Sequence, residues 1–102
     1  MSKLDLPDGQ WAELRDWLTH GEEKAVLRSW AAASKNLEDA TEIDTALVRA
    51  YVSDWHVKGR DGHEVPVTQV DDAPASVIAA IVTVVSVRWA ERRGTDPNPP
   101  AD

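Results

Sequence analysis

The sequence predicts a mainly α, α+β domain in which a short N-terminal β-hairpin precedes a small three-helix domain. Three observations lead to this fold class: a Pro-Asp-Gly turn signal near the N-terminus, three later segments with the apolar spacing or the length of helices, and a chain of 102 residues, which suits one compact domain. We expect residues 1–93 to form this domain. Residues 94–102 contain three prolines and no large apolar side chain, so we expect a disordered C-terminal tail.

The hairpin is predicted from Pro7-Asp8-Gly9, because Pro presets φ and Asp-Gly tolerates positive φ. Residues 4–6 would form its first arm. In the second arm Ala12 and Leu14 alternate with their neighbours, as one buried face of a strand requires. A helix remains the alternative for this arm, since the pattern is only five residues long.

Two helices are predicted after the hairpin. Thr19 and Glu22 have the spacing of a capping box, which indicates a helix that begins there and ends at residues 34–36. A second helix of about 14 residues would be capped by Asp39 or Thr41, and its apolar positions keep helical spacing as far as Trp55. A tight turn at residues 57–62 and an extended segment at 64–67 follow.

The third helix is predicted from Ala75 to about Arg92, with Pro74 at its start. Its many β-branched residues would also suit a strand, but strands are seldom this long. The positions expected to share the core-facing side are Ile78, Ile81, Val82, Val85 and Trp89. Val77 and Val84 would widen this stripe beyond what a three-helix domain needs, and Val87 falls outside it.

Large apolar side chains are the candidate core and the candidate contacts. The chain has five Trp and no Phe, and three of the Trp fall on predicted apolar stripes, so we expect Trp30, Trp55 and Trp89 in the core. Trp17, between the hairpin and the first helix, suits a core or a partner contact equally. The predicted partner-binding residues are Trp17, Val77, Val84 and Val87.

Composition excludes several classes of partner. The net charge of −7 would repel a phosphate backbone, so we expect no nucleic acid partner. Apolar runs are too short for a membrane span. The chain has no Cys, and its N-terminus lacks the basic and apolar stretch of a signal peptide, which favours a cytoplasmic location.

Catalytic patterns are missing from the sequence. His20, His56 and His63 lack the spacing of a metal-ligand motif, and no Ser lies in a nucleophile elbow. Acid pairs such as Glu22-Glu23 and Asp71-Asp72 lie where helices begin and are explained by the helix dipole. We expect no enzyme activity, no metal and no cofactor.

Four segments resemble, in their order, small proteins of long-tailed phages: LPDGQWAELRD, VRAYVSDWHV, GRDGHEVPVT and DDAPASVIAAIV. The shared order is a Leu–turn–Trp opening followed by Arg-Asp, a helix that ends near a Trp, a Val-Pro loop, and an aliphatic helix opened by Pro. Over most of residues 4–92, the chain resembles the tail assembly chaperone family of siphovirus-type actinobacterial bacteriophages.

This resemblance implies a non-enzymatic protein of the infected host cytoplasm that coats the tape measure protein, keeps it soluble and recruits tail tube subunits. Such chaperones bind through apolar surface and often self-associate, so a homo-oligomer is also expected. The alternative is a structural virion protein of the head-tail connector or tail completion complex, because the same gene neighbourhood encodes such proteins. An enzyme is the third hypothesis.

Overall fold

The computed structural model describes residues 2–35 and 40–92, which form a three-stranded antiparallel sheet and three helices. In chain order the elements are β1 (Ser2–Asp5), β2 (Trp11–Leu14), α1 (His20–Lys35), α2 (Ala40–Tyr51), β3 (Val52–His56) and α3 (Ala75–Arg92). The predicted α+β class, with its N-terminal hairpin and three helices, is confirmed. The predicted tail at 94–102 and the possible Asp39 cap lie outside the described residues.

The N-terminal hairpin forms at the predicted turn. Pro7–Gly9 make a tight turn, closed by Gln10 N–H donating to the Pro7 oxygen at 3.3 Å. Asp8 and Gly9 have φ of 62° and 75°, so the Asp-Gly pair occupies the left-handed region that its residue types tolerate. Leu6 N–H donates to the carbonyl oxygen of Gln10 at 2.9 Å. Alternate residues of β2 are buried, and this arm is a strand rather than a helix.

The second helix is shorter than predicted, and a third strand follows it directly. α2 ends at Tyr51, and β3 pairs with β2 in the order β1-β2-β3. The prediction that Trp55 belongs to a helix is therefore wrong. The register shifts by one residue between Glu13 and Leu14, because Glu13 faces Asp54 while Leu14 faces Val52. At this irregularity both Val52 and Trp55 are buried. Because the two residues are three positions apart, their spacing in the sequence resembles that of one face of a helix.

The first helix begins with the predicted capping box. Thr19 N–H donates to Glu22 Oε1 at 2.8 Å, and Glu22 N–H donates to Thr19 Oγ1 at 3.2 Å. α1 packs mainly against α2, and it buries Val26 and Ala33 there. Trp30 is 47% exposed, which corrects its prediction as a core residue. The buried stripe of α1 is narrow, and the indole lies beside it.

The third helix has its core face rotated from the predicted one. Its buried side chains follow a four-residue spacing: Val77, Ile81, Val85 and Trp89. Ile78 and Val82, predicted at the centre of the core face, are only half-buried. Val77 is 3% exposed and belongs to the core, so it is not the surplus surface residue that was predicted.

The core lies between the inner face of the sheet and the helices. Trp55 and Trp89 are buried as predicted, and the Trp55 indole Nε1–H donates to the carbonyl oxygen of Val65 at 2.8 Å. The turn between Gly59 and Gly62 also forms, with Gly62 N–H donating to the Gly59 oxygen at 3.0 Å. Beside this turn, Lys58 and Glu64 form one antiparallel bridge. Within the described part of the chain, no helix is long and apolar enough to cross a membrane.

Candidate interaction surface

The short segment between β2 and α1 is held in place by Arg15. Its guanidinium Nη1 donates to the carbonyl oxygens of Ala50 at 2.9 Å and Val52 at 3.1 Å, and its backbone N–H donates to the Tyr51 oxygen at 2.7 Å. A cation at the C-terminus of α2 also interacts favourably with the helix dipole. Arg15 therefore joins the end of β2 to the junction of α2 with β3.

A second arginine connects this segment to the end of α3. Arg88 Nη1 donates to the carbonyl oxygen of Arg15 at 3.0 Å, and Arg88 Nη2 donates to the hydroxyl of Ser2. Arg15 Nη1 also lies 3.9 Å from Oε2 of Glu22, which belongs to the capping box of α1. The ionisable side chains of this region thus join β1, α1 and α3 to the junction of α2 with β3.

Trp17 projects from this rigid segment into solvent. Its side chain is 72% exposed, and it lines a depression of about 390 Å³ with Arg15, Asp16, Thr19 and Glu22. Asp16 also lines a neighbouring depression with Arg88 at the end of α3. An indole on a fixed backbone is a suitable anchor for a protein partner, because little conformational freedom is lost when it is covered.

Charges from two helices meet near this surface at the buried Tyr51. Arg92 Nε of α3 lies 3.1 Å from Glu23 Oε2 of α1. Burial, and to a smaller extent the Glu23 carboxylate, raise the pKa of Tyr51 above its ordinary value, whereas Arg88 and Arg92 oppose that shift. The phenol therefore stays neutral at ordinary pH, and its ring packs in the core.

The predicted contact residues of α3 fall into three environments. Val87 is 55% exposed, and Val84 is half-buried against the edge of the core. Val77 is buried and is removed from the candidate surface. The candidate surface of α3 is therefore the side that carries Val84 and Val87.

A further exposed patch lies on α1 and was missed in the sequence. Leu27 is 40% exposed and lies three residues before the exposed Trp30, so the two share one side of the helix. Both lie on one flank of the stripe that buries Val26 and Ala33. The sequence of α1 has more apolar positions than one narrow buried stripe can hold, and this excess was the signal for an exposed apolar patch.

The histidines do not form a metal centre within the described residues. His56 contacts the Glu64 carboxylate across the bridge that follows β3, and His63 Nδ1 lies 3.2 Å from the Asp61 carboxylate in an exposed turn. No group of three or more potential ligands occurs in this part of the chain. Each of these two His therefore has one local acidic partner.

Comparisons with known proteins give no relative: no protein-family model, no curated protein and no solved structure matches this chain.

Proposed function

We propose that this chain is a non-enzymatic, protein-binding domain that acts as a phage tail assembly chaperone in the host cytoplasm. Its partners would be the tape measure protein and the tail tube subunits. One observation carries the proposal: the large apolar side chains Trp17, Leu27, Trp30 and Val87 are exposed outside the buried core. A partner that covers them would remove apolar surface from water.

The energetic argument rests on the two exposed indoles. Trp is enriched among interface residues whose truncation costs most, since its ring supplies a large and rigid contact area. Covering the exposed part of Trp17 or Trp30 would contribute on the order of 1–3 kcal/mol each. Two such anchors on one small domain would support a specific complex.

The polar groups around Trp17 favour binding over catalysis. Arg15 donates to main-chain oxygens at the end of α2, and Glu22 accepts from the backbone of Thr19 in the α1 cap. These groups are engaged in holding the backbone. Outside the α1 cap, the exposed side chains at this site are therefore the Trp17 indole and the Asp16 carboxylate, and the indole is the larger of the two.

The narrower proposal, a chaperone of tail assembly, is supported by the resemblance of the four segments described above. The turn and Trp of the opening, the end of the middle helix, the Val-Pro loop and the Pro-opened helix occur in that order. Exposed apolar side chains also suit a protein that coats a long helical partner, because that partner offers apolar stripes along its length.

The binding test uses the full chain co-expressed with the tape measure protein of the same phage, followed by affinity measurement. We expect Trp17→Ala and Trp30→Ala each to weaken binding about tenfold or more, whereas the exposed α1 control Lys24→Ala leaves it unchanged. Equal affinity of all variants, or no complex with the wild-type chain, would contradict the proposal.

A second test separates the chaperone from a virion component. Mass spectrometry of purified particles should not detect the chain, and deletion of its gene should give particles without tails. Detection in virions at the copy number of a ring would reject the chaperone role and favour the head-tail connector or tail completion complex.

A further inference from the structure

The outer edge of the sheet at β1 is a second place where a partner fits. The strand order is β1-β2-β3, and among the described residues β2 is the one strand that pairs with β1. The other side of β1 therefore presents main-chain donors and acceptors without a strand partner. Such an edge is a template for another strand.

The sequence of β1 is complementary to itself in one antiparallel arrangement. Lys3 and Asp5 are exposed on the solvent-facing side of the sheet, and Leu4 packs on the core side. A two-fold axis through Leu4 sets Lys3 of each copy opposite Asp5 of the other, and it sets the two leucines together. An axis through Lys3 or through Asp5 would instead place like charges opposite each other, which is unfavourable.

We propose that two copies of this chain associate through antiparallel pairing of β1 with β1, centred on Leu4, to form one continuous six-stranded sheet. Opposed strands keep facing side chains on the same side of a sheet. The two Lys3–Asp5 pairs therefore lie on its solvent-facing side. This pairing does not depend on a tape measure partner.

The flank of α3 that carries Val84 would extend the same interface. Arg88 donates to Ser2 Oγ of β1 and to the Arg15 oxygen that follows β2, so its side of α3 lies at the paired ends of these two strands. Val84 is one helical turn before Arg88 on that side. Ile78 lies on the opposite flank of the buried stripe and lines a depression with Asp44 of α2. Val84 is therefore turned away from α2, where the second copy would cover it and the more exposed Val87.

The interface is small, which sets the expected affinity. Stable dimers bury roughly 800 Å² on each partner, and a four-residue strand with one helix flank offers less. We expect reversible dimers with a dissociation constant in the micromolar range. Sedimentation equilibrium over a concentration series measures this directly.

The decisive experiment exchanges the charges one at a time. Lys3→Glu sets Glu opposite Asp5, and Asp5→Lys sets Lys opposite Lys3, so each variant alone should dimerise about tenfold or more weakly. Mixing the two variants places opposite charges at both positions of the heterodimer. We expect the mixture to recover the wild-type affinity.

Two controls separate this pairing from general charge effects. Arg28→Glu changes the net charge by the same amount as Lys3→Glu on the exposed side of α1, and it should leave dimerisation unchanged. Asp5→Lys lowers the magnitude of the net charge of an acidic protein, so non-specific association would become stronger in this variant. Pairing through β1 predicts the opposite result, weaker dimerisation. A wild-type chain that stays monomeric at millimolar concentration overturns the proposal, as does a mixture that dimerises no better than its components.

Discussion

Helices α1 and α3 are both rich in apolar residues, but they use them differently. α3 buries four side chains in one stripe, whereas α1 buries Val26 and Ala33 and leaves Leu27 and Trp30 exposed. Both pack against α2. The difference teaches that apolar content alone does not determine burial, because a helix buries only the positions that face a packed neighbour.

The largest loss of stability is expected when Trp89 of α3 is compared with Trp30 of α1. Trp89→Ala should lower the free energy of unfolding by about 3–5 kcal/mol, because it leaves a cavity in the core. Trp30→Ala should lower it by at most about 1 kcal/mol, since the indole is 47% exposed. Urea denaturation followed by circular dichroism measures both. Equal losses would mean that α1 is packed as fully as α3.

A second test asks whether the narrow stripe of α1 holds the helix on α2. Val26 is fully buried, so Val26→Ala should cost about 2 kcal/mol from lost burial and the cavity that remains. The adjacent Leu27→Ala serves as the control and should cost less than half as much. The same denaturation measurement applies. A larger loss for Leu27 would reverse the assignment of the two faces.

Removing the capping box should lower the free energy of unfolding by a smaller amount, and the effect should be confined to α1. Thr19→Ala removes the hydroxyl that accepts from Glu22 N–H and should cost about 1 kcal/mol. Because α1 has few buried side chains, hydrogen exchange should accelerate in α1 and stay unchanged in α3. Thr19→Ser keeps the hydroxyl and should keep the protection. Uniform acceleration throughout the chain would show that the helices unfold together.

The smallest effect concerns Tyr51, the one Tyr of the chain, which lies in α2 and senses charges of both helices. Its pKa is raised in the folded state, so its contribution to stability is complete below pH 10, its ordinary value, and is lost as pH rises further. Tyrosinate absorbance in a pH titration reports this ionisation. Glu23→Gln should lower the apparent pKa and Arg92→Gln should raise it. Shifts of opposite sign would contradict the arrangement.

Much of the fold follows from local signals in the sequence. The turn at Pro7–Gly9, the capping box at Thr19 and the start of α3 each depend on a few neighbouring residues, and each forms as expected. β3 was missed because Val52 and Trp55 are three residues apart in the sequence, and the register shift lets both lie on the buried side of the sheet. A pairing irregularity depends on the partner strand, so local periodicity does not reveal it.

The candidate surface could be predicted only in part, because the exposure of a helix position also depends on the elements that pack beside it. Val87 is exposed, as the helix periodicity predicted, and Trp17, for which the sequence left a core position and a partner contact equally open, is exposed as well. Val77 is buried because the stripe of α3 is set by the position of α2 and the sheet, which rotates the helix about its axis. Leu27 and Trp30 needed the same tertiary information, since their side of α1 is apolar but is left exposed by the part of the chain that the structure describes.

The direct passage from α2 into β3 affects where the chain tolerates added sequence. Tyr51 ends the helix and Val52 begins the strand, with Arg15 bonded to the carbonyl oxygens around that point. Residues inserted there would separate the helix from the strand and remove these bonds. The hydrogen bonds of the exposed Gly59–Gly62 turn are local, from Gly62 N–H to the Gly59 oxygen and from Gly59 N–H to the His63 oxygen, so an insertion there would leave the junction of α2 with β3 intact. An epitope tag or fluorescent reporter therefore belongs in that turn.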